Sequence, residues 1–194
     1  MFELSRRACF GTMLCACVAA EGLSSASAVA LPSNYMSATK LPEPGKAPGL
    51  RVRMIAGEGG GPRSWALIFA KGDKVMSGLL GWAEREKIAG VHPTATGALS
   101  SALFGRFDVQ QRAYRNIRID DQVECISLIG DIGLVNDKPA LHVHGCVGLP
   151  DGAVKGGHLL HATTFPALEM FATEAAVPLP KQENPETSLE LFGL

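Results

Sequence analysis

Clustered positive charge is missing from this chain. Its 18 Lys and Arg are outnumbered by 19 Asp and Glu, giving a formal net charge of −1. No basic stretch gathers the cations and no Arg-Gly-Arg-Pro segment of AT-hook type occurs, so the electrostatic footprint of a nucleic-acid binder is lacking. Hydrophobic runs long enough for a membrane span are missing as well. The apolar stretch at 8–20 falls short of the roughly 20 residues a bilayer requires, and no other segment approaches it. The glycine run Gly57-Glu58-Gly59-Gly60-Gly61-Pro62 has neither the Lys-Ser/Thr nor the strand context of a phosphate loop or dinucleotide fingerprint, and reads as a hinge. Cysteine is sparse, and three of the five residues, Cys9, Cys15 and Cys17, lie near the N-terminus.

That N-terminus is organised in three parts. Arg6 and Arg7 precede the apolar run, and Ala26-Ser27-Ala28 supplies a small-x-small cleavage site, so residues 1–28 are expected to be a signal peptide and the mature protein periplasmic or secreted. General secretion is favoured over the twin-arginine route suggested by Ser5-Arg6-Arg7, and lipidation at Cys17 is the alternative processing. Cys125 and Cys146 would be the only cysteines left, expected as buried thiols with a disulfide the minority reading. Residues 29–62, rich in Pro, Gly and Ser, read as a flexible arm, 63–178 as the folded domain and 179–194 as an irregular tail.

The domain reads as α+β, a mostly antiparallel or mixed sheet with one main amphipathic helix. Apolar residues at 65–70 suggest a first strand, and the helix is expected over about 74–87 with Met76, Leu79, Leu80 and Ala83 on one side. Strands follow near 88–99, 101–108, 113–119, 122–132, 139–148 and 153–163, and 166–174 is expected as a strand or short helix. Asn136-Asp137-Lys138 is a turn.

Three of the five histidines fall in one candidate hairpin. His142-Val143-His144 and Gly156-Gly157-His158 flank Leu149-Pro150-Asp151-Gly152-Ala153, a sequence suited to a three-residue loop with glycine in the left-handed position. If Leu149 faces Ala153, His144 stands opposite His158 and His142 lies two residues along the same face. Three imidazoles could then meet on one divalent metal with a position left open, as in catalytic zinc sites. Copper, nickel, iron and cobalt remain open alternatives. In this register the glycines leave room above the sheet, Cys146 lies opposite Gly156 as a packing residue, and His161 faces the other side with Leu159. His92, far off in sequence, is expected to be structural or exposed. A two-residue turn would place His158 on the wrong face.

Leu141-His142-Val143-His144, Gly148-Leu149-Pro150-Asp151-Gly152, Gly156-Gly157-His158-Leu159-Leu160 and Pro166-Ala167-Leu168-Glu169 resemble the bacterial branch of the plants-and-prokaryotes-conserved (PPC) domain. Thr96-Gly97-Ala98-Leu99, Gly105-Arg106-Phe107-Asp108 and the segment from Glu124 to Ile132 fit the same pattern in the same order. The resemblance implies an α+β homotrimer with a metal, zinc in the first instance, on His142, His144 and His158. It makes Arg106 and Glu169 candidate catalytic residues, although surface solvation is the commoner role for each. His161 stands where such relatives commonly carry an acid. The fold is also similar to a domain of acetolactate decarboxylase, which implies a carbonyl-activating lyase as one alternative. DNA binding, the role of the plant branch, is another, and export and charge argue against it. A small-molecule ligand at the metal is the expected partner besides the chain itself.

Overall fold

The computed structural model describes residues 31–38 and 46–194, so the expected signal peptide lies outside the described residues. The elements are β1 (Tyr35–Ser37), β2 (Arg51–Ala56), β3 (Ser64–Ala70), α1 (Val75–Glu86), β4 (Val91–Asp108), β5 (Ala113–Ile119), β6 (Val123–Val135), β7 (Lys138–Gly148), β8 (Val154–Glu174), β9 (Lys181–Glu183) and β10 (Glu190–Phe192). Eight strands form one sheet in the order β1-β5-β4-β6-β7-β8-β3-β2, with β4 also paired to β8. The fold is therefore α+β, with antiparallel pairing between all of these strands.

Two long strands organise this sheet. The expected strands at 88–99 and 101–108 are one strand, β4, and 166–174 is the second half of β8. Both strands change partners midway. One edge of β4 meets β6 through Val91–Leu99 and β5 through Ala102–Asp108, while the other follows β8. Bulges bend a strand and sharpen its twist, and register shifts at Gly97/Leu99, Leu99/Ser101 and Leu103/Phe104 do so here. Gly97 permits one of these bends: its φ is +146°, and a Cβ there would lie 2.5 Å from the Ala167 carbonyl oxygen. The pairings β4–β6, β6–β7, β7–β8 and β8–β4 consequently close a circuit around the core.

That core contains Phe69, Leu79, Trp82, Phe104, Leu128, Ile132, Val143, Leu159 and Leu168, all nearly inaccessible to solvent. Each such side chain contributes roughly 1.5–3 kcal/mol relative to an exposed position. The helix differs from the amphipathic expectation, because every residue from Val75 to Ala83 is buried. The chain around Ala47–Leu50 covers its outer side: Gly49 N–H donates to Asp73 Oδ1 at 2.9 Å, and Lys46 N–H to Ser77 Oγ at 2.8 Å. Trp82, unremarked in the sequence, packs edge-on against Trp65 at 5.8 Å. The helix stops at Lys87, whose left-handed backbone (φ 54°) lets its N–H reach Ala83 and Glu84.

The supposed arm and tail both contain ordered pairing. Arg51–Ala56 is an edge strand against β3, and Tyr35–Ser37 pairs with β5. At the other end β9 and β10 form a small ladder, and Lys181 is buried. Composition hid these strands because Pro and Gly flank them closely. No helix among the described residues is long and apolar enough to cross a membrane.

Candidate metal centre

The hairpin between β7 and β8 has the three-residue loop anticipated from Pro150-Asp151-Gly152. Leu149 N–H donates to the Ala153 carbonyl at 2.8 Å, Gly152 N–H returns to the Leu149 carbonyl at 2.9 Å, and Gly152 takes φ +81°. From this anchor the ladder runs Val147 with Lys155, Cys146 with Gly156 and His144 with His158. The glycines have a different role from the expected one. A Cβ on Gly156 would sit 2.3 Å from the Gly145 carbonyl oxygen, and Gly157 holds φ +151° with its Cβ direction 2.8 Å from the Gly105 carbonyl oxygen. They admit neighbouring backbone, not open space.

His142, His144 and His158 come together, with one ligand nitrogen from each lying within 4.8 Å of the others. The Nε2 atoms of His142 and His144 are 3.2 Å apart. A tetrahedral site with Zn–N bonds of about 2.0–2.1 Å has an N···N edge of about 3.3 Å, so this pair is already at a coordination spacing. Ring centroids of the three pairs lie at 5.1, 5.4 and 5.3 Å.

The surroundings favour the neutral imidazoles that metals require. Burial pushes His158 down to about 3, helped by its two histidine neighbours and Lys181. His144 is lowered by burial. His142 is also lowered, chiefly by burial, with Asp131 opposing and Lys181 and His144 reinforcing the shift. His158 stacks on Tyr114 with centroids 4.3 Å apart and planes 14° from parallel, which fixes its ring plane. Gly105 makes room for that stack, since a Cβ there would lie 2.6 Å from Tyr114 Cβ. Nδ1 of His158 is buried without a hydrogen-bond partner. Converging neutral nitrogens and a buried orphan donor or acceptor fit a late first-row metal.

Sequence reading missed three neighbours. Asp131 on β6 is paired with His142, and its Oδ2 is 3.6 Å from His142 Nδ1. Lys181 on β9 forms an ion pair with Asp131 Oδ1. Tyr114 on β5 is the third. Asp131 was within reach of the sequence: Asn136 and Asp137, both with positive φ, close a two-residue turn between Val135 and Lys138, and counting back sets Asp131 opposite His142. Lys181 and Tyr114 leave no comparable signal, because neither is tied to the hairpin by a turn.

The remaining candidates lie elsewhere. Arg106 follows Gly105, the partner of His158, so alternation along β4 sends its exposed side chain to the opposite face. Glu169 is eleven residues along β8 from His158 and outside the histidine cluster; it lines an open groove of about 460 Å3 with Arg51, Arg53 and Phe171. His161 was expected on the core side with Leu159. Because the register shift at Leu103/Phe104 absorbs one extra residue of β8, Leu159 and Leu160 are both buried and His161 is exposed. His92 contacts the Gly130 carbonyl at 2.7 Å, outside the cluster. Cys125 is buried, Cys146 only half-buried, and both are free thiols outside the cluster.

Residues 56–176 match the Plants and Prokaryotes Conserved (PCC) domain, the domain abbreviated PPC above, and the chain belongs to this family. Similar solved structures include a plant- and prokaryote-conserved protein from Pyrococcus horikoshii, 25% identical with a TM-score of 0.64, aligned over 68% of this chain and 92% of that one. The metal-containing protein AF0104 from Archaeoglobus fulgidus is 25% identical with a TM-score of 0.62, over 74% and 96%. A protein from Ralstonia eutropha JMP134, provisionally described as DNA-binding, is 27% identical with a TM-score of 0.63, over 67% and 90%. A search of curated proteins gives no match. The likeness to α-acetolactate decarboxylase from Bacillus subtilis, at 7% identity and a TM-score of 0.46, carries no argument.

Proposed function

We propose that this is an exported, bacterial-type PPC-domain protein that binds one divalent metal, zinc in the first instance, on His142, His144 and His158. The convergence of three imidazoles from one hairpin carries this reading. The metal-containing relative from Archaeoglobus fulgidus lends support. Three protein nitrogens leave a coordination position for a small ligand, and a metal there would polarise a carbonyl or activate water. Around it, Tyr114 orients His158 and Asp131 faces His142. A recess of about 70 Å3 beside His142 and His158, bounded by Tyr114 and Lys181, offers space next to the centre.

Self-association into a homotrimer belongs to the same proposal. Ile129, half exposed, is paired with His144 on one side and with Thr94 on the other, and Thr94 also faces Phe171, which is 62% exposed. Apolar side chains exposed beside a binding site favour association, which would place the metal in a subunit-associated pocket. DNA binding, as described for the Ralstonia protein, is disfavoured by the net charge of −1.

Elemental analysis of protein purified from its native compartment tests the metal. One zinc per chain, removed by chelation with a fall in Tm, is expected. Protein free of any transition metal that also fails to take up zinc in titration would overturn the reading.

A further inference from the structure

The segment after residue 176 lies beyond the matched family domain, yet it reaches the histidines. Leu179 is held against the sheet edge by two backbone bonds, its N–H to the Ala89 carbonyl and its carbonyl from Leu134 N–H, each 2.8 Å. Gly133 leaves the necessary space: a Cβ there would lie 2.5 Å from the Leu179 carbonyl oxygen and 3.0 Å from Lys181 Cε. The chain then delivers Lys181, whose side chain is 2% exposed, to the 21% exposed carboxylate of Asp131. Lysine is seldom buried this deeply without a charged partner, and this partner turns its other oxygen toward His142 Nδ1.

A carboxylate behind a metal-binding imidazole holds the proton on the far nitrogen and leaves the near one free to coordinate. Here His142 turns Nδ1 toward Asp131, 3.6 Å away and just beyond hydrogen-bond distance, and Nε2 toward His144, the orientation such a pair requires. We propose that Asp131 is the positioning residue of His142 and that Lys181, from the C-terminal segment, fixes Asp131 in that role. The tail is thereby a working part of the histidine centre. This inference rests on the metal reading above for its consequence, though not for its geometry.

The experiment uses the full mature chain and zinc alone, with affinity measured by competition against a chromophoric chelator. Asp131→Asn is expected to weaken zinc binding by about 10–100-fold. Lys181→Met is expected to weaken it by a smaller factor, Lys181→Arg to restore it, and the Asp131→Asn/Lys181→Met double variant to match Asp131→Asn alone. A direct effect of the lysine charge or of packing would persist without the carboxylate, so an equal effect of Lys181→Met in both backgrounds overturns the proposal. Native affinity in Asp131→Asn does the same. A second readout needs no metal: long-range 1H–15N spectra should show His142 protonated on Nδ1 in the native chain and lose that preference in Asp131→Asn and Lys181→Met. If the native chain takes up no zinc, the metal reading fails, and the tautomer measurement alone decides for or against Asp131.

Discussion

His158 is the most constrained of the three imidazoles. It is sandwiched between Tyr114 and the other two histidines, and burial holds it neutral down to about pH 3 against an ordinary value of 6.5. The sign of the linkage follows. Below 6.5 the unfolded chain takes up a proton that the folded chain refuses, so the metal-free protein loses stability as pH falls from about 6.5 toward 3, by up to about 1.4 kcal/mol per unit. Urea titrations at neutral and acid pH should show this loss, and His158→Asn should reduce it to what His142 and His144, also lowered by burial, contribute. Each of His142→Ala, His144→Ala and His158→Ala should abolish tight zinc binding in titration, whereas His161→Ala should leave it intact. The reason for the exception is the bulge at Leu159-Leu160, which returns His161 to solvent beyond the cluster, and not the simple alternation expected from sequence.

At the scale of elements, the hairpin is the part of the site that local chemistry dictates. Pro150-Asp151-Gly152 sets a loop, the loop sets the register, and the register opposes His144 to His158. Deleting Pro150 should therefore remove zinc binding as completely as losing a ligand, because a one-residue slip reverses every side chain of one strand. Gly156→Ala should lower stability by about 2–3 kcal/mol in denaturant titration, since its Cβ would collide with the Gly145 backbone 2.3 Å away. Strand identity was equally legible in apolar segments: the expected first strand at 65–70 falls within β3, where every second residue is buried. The helix at 74–87 was placed correctly and its environment was not, because nothing between Val75 and Ala83 reveals that the chain near Ala47 covers its second face. Likewise, the break expected at Ser100 is a bulge inside one strand.

For the whole molecule, light scattering after size exclusion should give three times the mature chain mass, and mature protein from its host should begin at or near Val29. A monomer at micromolar concentration would remove the trimer, and an intact Met1 would remove the export reading. What the sequence determined by itself was short in range: the α+β class from periodicity, the three-histidine face from one turn, and the family from motif order. Each depends on residues joined by a few bonds or by a ladder that a turn has started, so spacing alone carries it. Tertiary structure decided the rest. It brought Tyr114 from β5 against His158, and Lys181 from β9 to Asp131. It kept Arg106 and Glu169 out of the histidine cluster, Arg106 by alternation along β4 and Glu169 by placing it in the groove with Arg51 and Arg53. The physical reason is that these placements depend on where two bent strands, β4 and β8, exchange partners. That exchange is set by packing around Phe104, Leu159 and Leu168 and not by any local preference of the residues it brings together.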